Sequence, residues 1–489
     1  MSADLTPARP QNARPPSARL LAALFLLAAL PRLVLALIYL DLPIGLDDMY
    51  QYDMLGRSLA AGHGYRWYSR VDVAALRPYL DKWYKIDLPT AQVPLDGYRT
   101  TFRAPGYPAF LAAIYLAFGT TYRLQVVRLL QALLGAALAP LTALLASRLG
   151  LPGRSAPAAG VIVALYPVLW MYPLGLGSEN LFFPLSLATG LALLAAAGSG
   201  RVWNAASAGL LFGVAILTRG AFVVTLPFAC LWLARRAGWR RAALTAVVSL
   251  AVVAPWSVRN SLVLGRPAFV ETTVGYNLFV GYHPEGDGGF VTHIALMPVH
   301  LLDDEARDRW TTEHALGFIR ADPGRAALLN LNRLAYFWGW ETRELVYFYS
   351  NNAFGPLAPG VLFAAMALLI LPWAAVALLA PFGLAVAADA RGRRLSLAFV
   401  AGALLAYVPI LAEPRFHLPL LPWLAPYAAF ALQHPLDWLR PPPARRLAVV
   451  AATLFALLLV LLWSWDALRL LPRWETVFST GGNELYLSY

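Results

Sequence analysis

The chain has 489 residues, of which 59% are hydrophobic and 13% charged, whereas soluble domains carry roughly 25% charged residues. That composition excludes a soluble globular enzyme. Apolar runs recur from Leu20 to Trp463, so the chain reads as an all-α polytopic membrane protein rather than one with a single anchor. The formal charge of +12 does not point to nucleic acid, because the arginines sit in short links between apolar runs, as in Arg235, Arg236, Arg240 and Arg241. This is the pattern that orients a membrane protein with its basic links inside. Cys230 is the only cysteine, which excludes a disulfide framework and a cysteine zinc site.

In chain order, residues 1–19 form a basic cytoplasmic segment without a cleavage site, so the run 20–40 is expected to be a retained first span. Residues 41–103 follow as an outer loop. The apolar piece 107–118 gives about 18 Å of helix, too short for a ~30 Å core, and is expected to lie at the interface. Spans follow at 125–149, 156–171 and 181–197. The stretch 204–234 carries Arg219 near its middle and arginines at its end, which predicts two short helices meeting at Arg219. The span 242–256 closes an N-terminal transmembrane module, 20–256. A second outer loop covers 257–325, and 326–360 is placed outside or at the interface. A C-terminal transmembrane region, 326–465, contains spans 361–388, 395–411, 418–432 and 447–463. The tail 466–489 is placed outside. The expectation is about eleven spans, within ten to thirteen, with two large outer loops carrying short interfacial helices. Every arginine cluster falls inside under one parity.

Polar groups kept near lipid are functional candidates by default, and most of them fall on the outer side here. Asp47 and Asp48 begin a short helix in which Tyr52, Gly56 and Leu59 recur at helical spacing. Asp47 can serve as its N-cap. One carboxylate of the pair can also face a cavity whose low dielectric raises its basicity, suiting it to take a proton; both readings stay open. Glu179 is either an ordinary loop glutamate or a group that binds a divalent cation with the first-loop aspartates or orients a sugar hydroxyl. If there is a metal, Asp47 and Glu179 are its expected ligands.

Arg103, Arg219, Arg259 and Arg415, with His417, all fall on the outer face, where orientation sorting predicts few arginines. They can pair with carboxylates such as Glu413 or Asp96, snorkel to the lipid surface, or form forks for an anionic headgroup. His63, His283, His293 and His300 lack metal-ligand spacing and read as solvated. Tyr65, Trp67, Tyr68, Trp83 and Tyr84 form an interfacial belt or a sugar-stacking platform.

Taken together and in order, these segments resemble the C-type (GT-C) integral membrane glycosyltransferases that use polyprenyl-phosphate sugars, especially the protein-mannosyltransferase-like and aminoarabinose-transferase-like branch. The resemblance runs over nearly the whole chain. It rests on Asp47-Asp48 with Tyr52, Leu55 and Gly62-His-Gly-Tyr65; on Arg103-Ala-Pro-Gly-Tyr-Pro108 and Ser178-Glu179; on Leu217-Thr-Arg219, Pro255-Trp-Ser-Val-Arg-Asn260 and Gly275-Tyr-Asn-Leu278; and on Arg415-Phe-His-Leu-Pro419. Two departures stand out: Asp-Asp where Asp-Glu is usual, and Tyr282-His283 where many relatives have Asn.

The resemblance implies an inverting transfer of a sugar from a polyprenyl-phosphate donor to a lipid, glycan or protein acceptor on the extracytoplasmic face of the inner membrane. It implies Asp47 as the catalytic carboxylate, Asp48 sharing the role, and Glu179 as the second-loop acid. Arg259, Arg415, Arg219 and Arg103, with His417, are expected to hold the donor phosphate. No cofactor is required, and a divalent cation stays open. The rival expectation is a transporter or flippase of lipid-linked sugars, which would show mid-span charges and two related halves.

Overall fold

The computed structural model describes residues 15–45, 48–79, 93–152, 154–301, 303–341, 357–387 and 390–478. These residues are almost entirely helical; among them the only sheet is an antiparallel pair, Arg66–Trp67 against Tyr98–Arg99. Among the described residues seven helices are long and apolar enough to cross a bilayer: Ala18–Ile38, Arg123–Arg148, Glu179–Gly198, Gly220–Ala237, Trp239–Leu264, Pro359–Val386 and Pro443–Leu468. An eighth candidate is bent by 54°, Ser155–Ala164 followed by Val168–Leu174. The chain is a multi-pass membrane protein.

Other expected spans take different forms. The stretch around Arg219 divides as its charge pattern requires, into Val202–Thr218 and a second helix from Gly220, with Arg219 at the junction. The piece before it, Gly106–Phe118, is a 13-residue helix. Leu421–Gln433 is also only 13 residues long, and every residue from Leu421 to Ala431 is buried. A helix apolar all round in this way is enclosed by other helices rather than facing lipid or water on one side. Ala390–Tyr407 carries Arg391, Arg393 and Arg394 in its first two turns.

The first helix shows how sequence sets its faces. Ser17 caps it, accepting from the Leu20 N–H, and Leu24, Ala28, Ala29, Arg32 and Ala36 form one buried stripe. That stripe packs its alanines against Ala136, Ala139 and Ala143, the close small-residue contact by which helices associate in lipid. Leu26, Leu30, Val34 and Leu37 lie exposed on the opposite face, where lipid would surround them.

Arg32 is fully buried among these small residues. Its guanidinium donates to the carbonyls of Ala28 at 2.7 Å, Ala164 at 3.2 Å and Val163 at 3.4 Å. Val163 and Ala164 end the first half of the bent helix, and the carbonyl of Val163 finds no continuing N–H because the residue four ahead is Pro167. The indole of Trp170 also donates to Ala164 O at 2.9 Å. The break is thus capped from another helix, with a cation at the negative end of the dipole.

Helix Asp48–Ala60 is locked by one buried carboxylate. Asp53 accepts from Arg57 at 2.7 Å, from Arg123 at 2.7 and 3.1 Å, and from the Tyr115 hydroxyl at 2.9 Å. Arg57 also reaches Asp72 at 2.7 Å. This joins the helix to Gly106–Phe118, to the Arg123 end of a span and to the segment at Arg70–Tyr79. Burial pushes the Asp53 carboxyl up, but the bond from Arg123 and the charge of Arg57 outweigh it and hold it below its usual range. Its stabilisation is therefore complete above the ordinary carboxylate pKa and is lost only as pH falls through the lower folded value. Asp53→Asn is expected to cost about 3 kcal/mol, since Arg123 loses its carboxylate and Arg57 one of its two. Its apparent melting temperature in detergent should fall below wild type by a constant amount from neutral pH to about pH 5, with the gap closing below about pH 4. An unchanged melting temperature at neutral pH would rule out the lock.

Candidate active site

Three guanidinium groups from distant parts of the sequence gather at the ends of these helices. Arg103 comes from the turn before Gly106–Phe118, Arg219 from the junction at Thr218, and Arg415 from the short 3-10 helix Pro414–Leu420. Gly106 is seated so closely that a Cβ there would lie 2.6 Å from the Thr218 hydroxyl. Contact of this kind holds the Arg103 turn against the Arg219 turn.

Each cation faces a carboxylate. Arg103 donates to Asp48 Oδ1, and also to Gln51 Oε1 at 2.7 and 2.9 Å. The other oxygen of Asp48 lies 3.8 Å from Arg415. Arg219 pairs with Glu179 at 2.7 Å and donates through Nε to the Tyr407 hydroxyl at 2.8 Å. Glu179 is buried at the first turn of its helix, where the dipole favours an anion. Arg415 lies 3.5 Å from Glu413, yet its buried Nε has no hydrogen-bond partner among the described residues, and its side chain is 35% exposed. Arg219 and Arg415 both lie over the Phe416 ring, with centroid distances of 5.3 and 5.6 Å.

The same two aromatic residues, Tyr407 and Phe416, line a narrow apolar crevice together with Phe182, Phe222, Phe399 and Leu420. The arrangement is a pair of guanidinium groups set against Phe416, one wall of that crevice. It suits an amphiphile with an anionic head.

Asp48 differs from the expected base. Burial pushes its carboxyl up, but Arg103 and Arg415 outweigh that and leave it below the ordinary carboxylate range, so it is a weaker base than a free aspartate. The two arginines in turn hold their protons more tightly than usual beside it, burial notwithstanding. Asp47 lies outside the described residues, as do Trp83 and Tyr84.

The structure places two expected site residues elsewhere. Arg259 donates to the carbonyls of Thr100 at 2.5 Å and Tyr65 at 3.3 Å and to the Asn260 side chain at 3.0 Å. It also lies 4.8 Å from the Trp256 ring centroid. It thus clamps the Tyr65 and Thr100 strands instead of joining the cationic cluster. His417 points the opposite way from Arg415. It is fully buried, stacks on Trp373 at 3.6 Å, and contacts Phe337 O at 2.7 Å and Glu341 at 3.0 Å. Glu341 also accepts from Tyr166. On a turn as tight as Pro414–Leu420, two residues two positions apart face different sides, so Arg415 and His417 cannot serve one ligand.

Other expectations resolve in the same way. Tyr65 and Trp67 are core residues, not an exposed belt or platform. Tyr68 is the one non-glycine residue with positive φ among the described residues, at 49°, and its hydroxyl accepts from Gln51 at 3.3 Å. His63 and His293 lie on the surface beside Asp96 and Glu285, at 3.8 and 3.5 Å; His283 packs on Phe279. Among the described residues no group of three or more His, Cys, Asp or Glu side chains could hold a metal ion.

Sequence reasoning passed over Gln51, Tyr407, Phe416 and, above all, Glu271. Glu271 accepts from the backbone N–H groups of Ala104 and Gly220, and burial raises its carboxyl above the ordinary range against the pull of Arg103 and Arg219. An isolated carboxylate between Phe269-Val270 and the Gly275-Tyr-Asn-Leu278 segment is the signal that could have found it.

Arg259→Ala is expected to lower the apparent melting temperature, at about 1.5–3 kcal/mol for lost charge-assisted hydrogen bonds, and to leave affinity for a phosphate lipid unchanged. Weaker lipid binding at an unchanged melting temperature would return Arg259 to the binding site.

No family model and no curated protein matches the chain. Among solved structures it is similar to the crystal structure of ArnT from Cupriavidus metallidurans bound to undecaprenyl phosphate. The identity is 15% and the TM-score 0.37, covering 87% of this chain and 82% of that one.

Proposed function

We propose that the chain is an inverting membrane glycosyltransferase that moves a sugar from a polyprenyl-phosphate donor to a lipid, glycan or protein acceptor on the extracytoplasmic face. The observation that carries this reading is the placement of Arg219 and Arg415 against Phe416, one wall of a narrow apolar crevice. A phosphate on a long isoprenoid chain matches both halves: the forked cations take the phosphate, and the apolar wall at Phe416 faces the first part of the tail. Arg415 is the cation best placed to take it, because its ion pairs, to Asp48 at 3.8 Å and to Glu413 at 3.5 Å, are long. The ArnT structure holds undecaprenyl phosphate, and the same class of ligand is assigned here on the site's own geometry.

In the reaction a bond forms between the acceptor oxygen and the anomeric carbon while the bond from that carbon to the phosphate oxygen breaks. The departing phosphate gains a negative charge, which Arg219 and Arg415 stabilise in surroundings of low dielectric. The acceptor proton passes to a carboxylate. Asp48 is already committed to Arg103 and Arg415, so its part is to aim these cations, while Asp47, the preceding residue in the sequence, is the proposed base. Glu179 fixes Arg219. With the basic links inside, this reading assigns this end of the helices to the extracytoplasmic side.

Transfer is measured with purified protein and a polyprenyl-phosphate sugar. Arg415→Ala should lower kcat/KM by about 10²–10³-fold, the usual effect of losing one charge-stabilising donor. Asp47→Asn should abolish turnover while leaving donor binding intact. Full turnover in Arg415→Ala overturns the phosphate assignment, and lipid movement without a new glycosidic bond would favour a flippase.

A further inference from the structure

Arg103 and Arg219 lie 116 positions apart in the sequence, at the ends of different helices, yet they converge. The residues that follow them, Ala104 and Gly220, both donate their backbone N–H groups to one side chain, Glu271. The fit at Gly220 is close: a Cβ there would lie 2.7 Å from Glu271 Oε1, inside the distance that real carbon atoms tolerate. The segment bearing Glu271 is itself held on both flanks. Val270 O accepts from Asn260 Nδ2 at 2.8 Å and from Trp256 Nε1 at 3.0 Å, and the Thr272 N–H donates to Thr101 O at 3.0 Å. Asn260 and Trp256 lie in the Pro255-Trp-Ser-Val-Arg-Asn260 segment, whose contacts here are thus directed at seating this carboxylate.

We infer that Glu271 is a positioning residue that ties the Arg103 turn to the Arg219 turn and thereby sets the spacing of the guanidinium groups offered to an anionic lipid headgroup. The inference rests on the phosphate-lipid reading above and extends it to a residue that acts through the two arginine turns. A carboxylate is suited to the task because one group with two oxygens can accept from two backbone donors at once. Its reach makes a glycine necessary at position 220, since any side chain there would displace the bridge. Loss of the bridge would leave two buried backbone donors unpaired and let the two turns separate.

The test uses full-length protein in detergent, with undecaprenyl phosphate as the probe. Glu271→Ala should weaken its binding tenfold or more, and Glu271→Gln, which keeps one strong acceptor oxygen, should fall between Glu271→Ala and wild type. Gly220→Ala should weaken binding comparably. In the double variant Gly220→Ala/Glu271→Ala the new methyl group no longer meets a carboxylate, so the two losses should not add, either in binding or in apparent melting temperature. The inference is overturned if wild type binds the probe and Glu271→Ala binds it equally well, or if the two substitutions are additive. A wild-type protein that does not bind the probe would instead count against the lipid assignment; the coupling in melting temperature, which needs no ligand, would still decide whether the bridge exists.

Discussion

A charge taken out of water must be met by another charge or by a dense set of dipoles, and the helix-end cluster of this protein is built to meet that requirement. Two unit charges 4 Å apart interact by about 4 kcal/mol at the effective dielectric of a protein's outer layers, enough to fix which side chains face each other. Arg103 is met by Asp48, Arg219 by Glu179, and Arg415 by Asp48 and Glu413 at longer range. The pairing is uneven, and the unevenness is chemically useful. The tightly paired arginines form a fixed frame, while the loosely paired one is, in the proposed reading, the one that exchanges a carboxylate for an incoming phosphate.

The buried arginines elsewhere follow a different rule. Arg32, Arg128 and Arg333 are met chiefly by backbone carbonyls: Arg128 by those of Leu174, Leu40 and Leu42, and Arg333 by Val408 at 2.7 Å and Gly281 at 2.8 Å. A guanidinium held mainly by carbonyls closes helix ends and loops. Arg259 belongs with them. The kind of partner therefore separates structural from ligand-facing arginines, although all of them are unusual residues for an apolar chain.

Much of this was legible in the sequence because lipid imposes a coarse code. Run lengths and basic links marked the helices, and the midpoint charge at Arg219 marked a real junction. The gathering of Asp48, Glu179, Arg103, Arg219 and Arg415 followed from placing span ends on one side. What could not be read was the direction each side chain takes within a turn. Arg415 and His417 differ by two residues and face opposite ways, because a tight 3-10 turn rotates about 120° per residue. Arg259 sits one residue from Asn260, but its fork is spent on the carbonyls of Thr100 and Tyr65, partners some 160 to 190 positions away that no local pattern reveals. Glu271 escaped for the same reason: its importance lies in the N–H groups of Ala104 and Gly220, and backbone donors leave no trace in a sequence.

The cap that Arg32 places on the broken helix at Ala164 has a consequence for biogenesis. The two partners are separated by 132 positions, so the first helix enters the bilayer long before the carbonyls it will serve have left the ribosome. During that interval its guanidinium has only the carbonyl of Ala28 on its own helix, a poor exchange for water. The opening segment is therefore bound to linger at the translocon, or at its watery edge, until the kinked partner emerges. Assembly of this bundle is in that sense deferred: its earliest helix is released into lipid by one of its later ones.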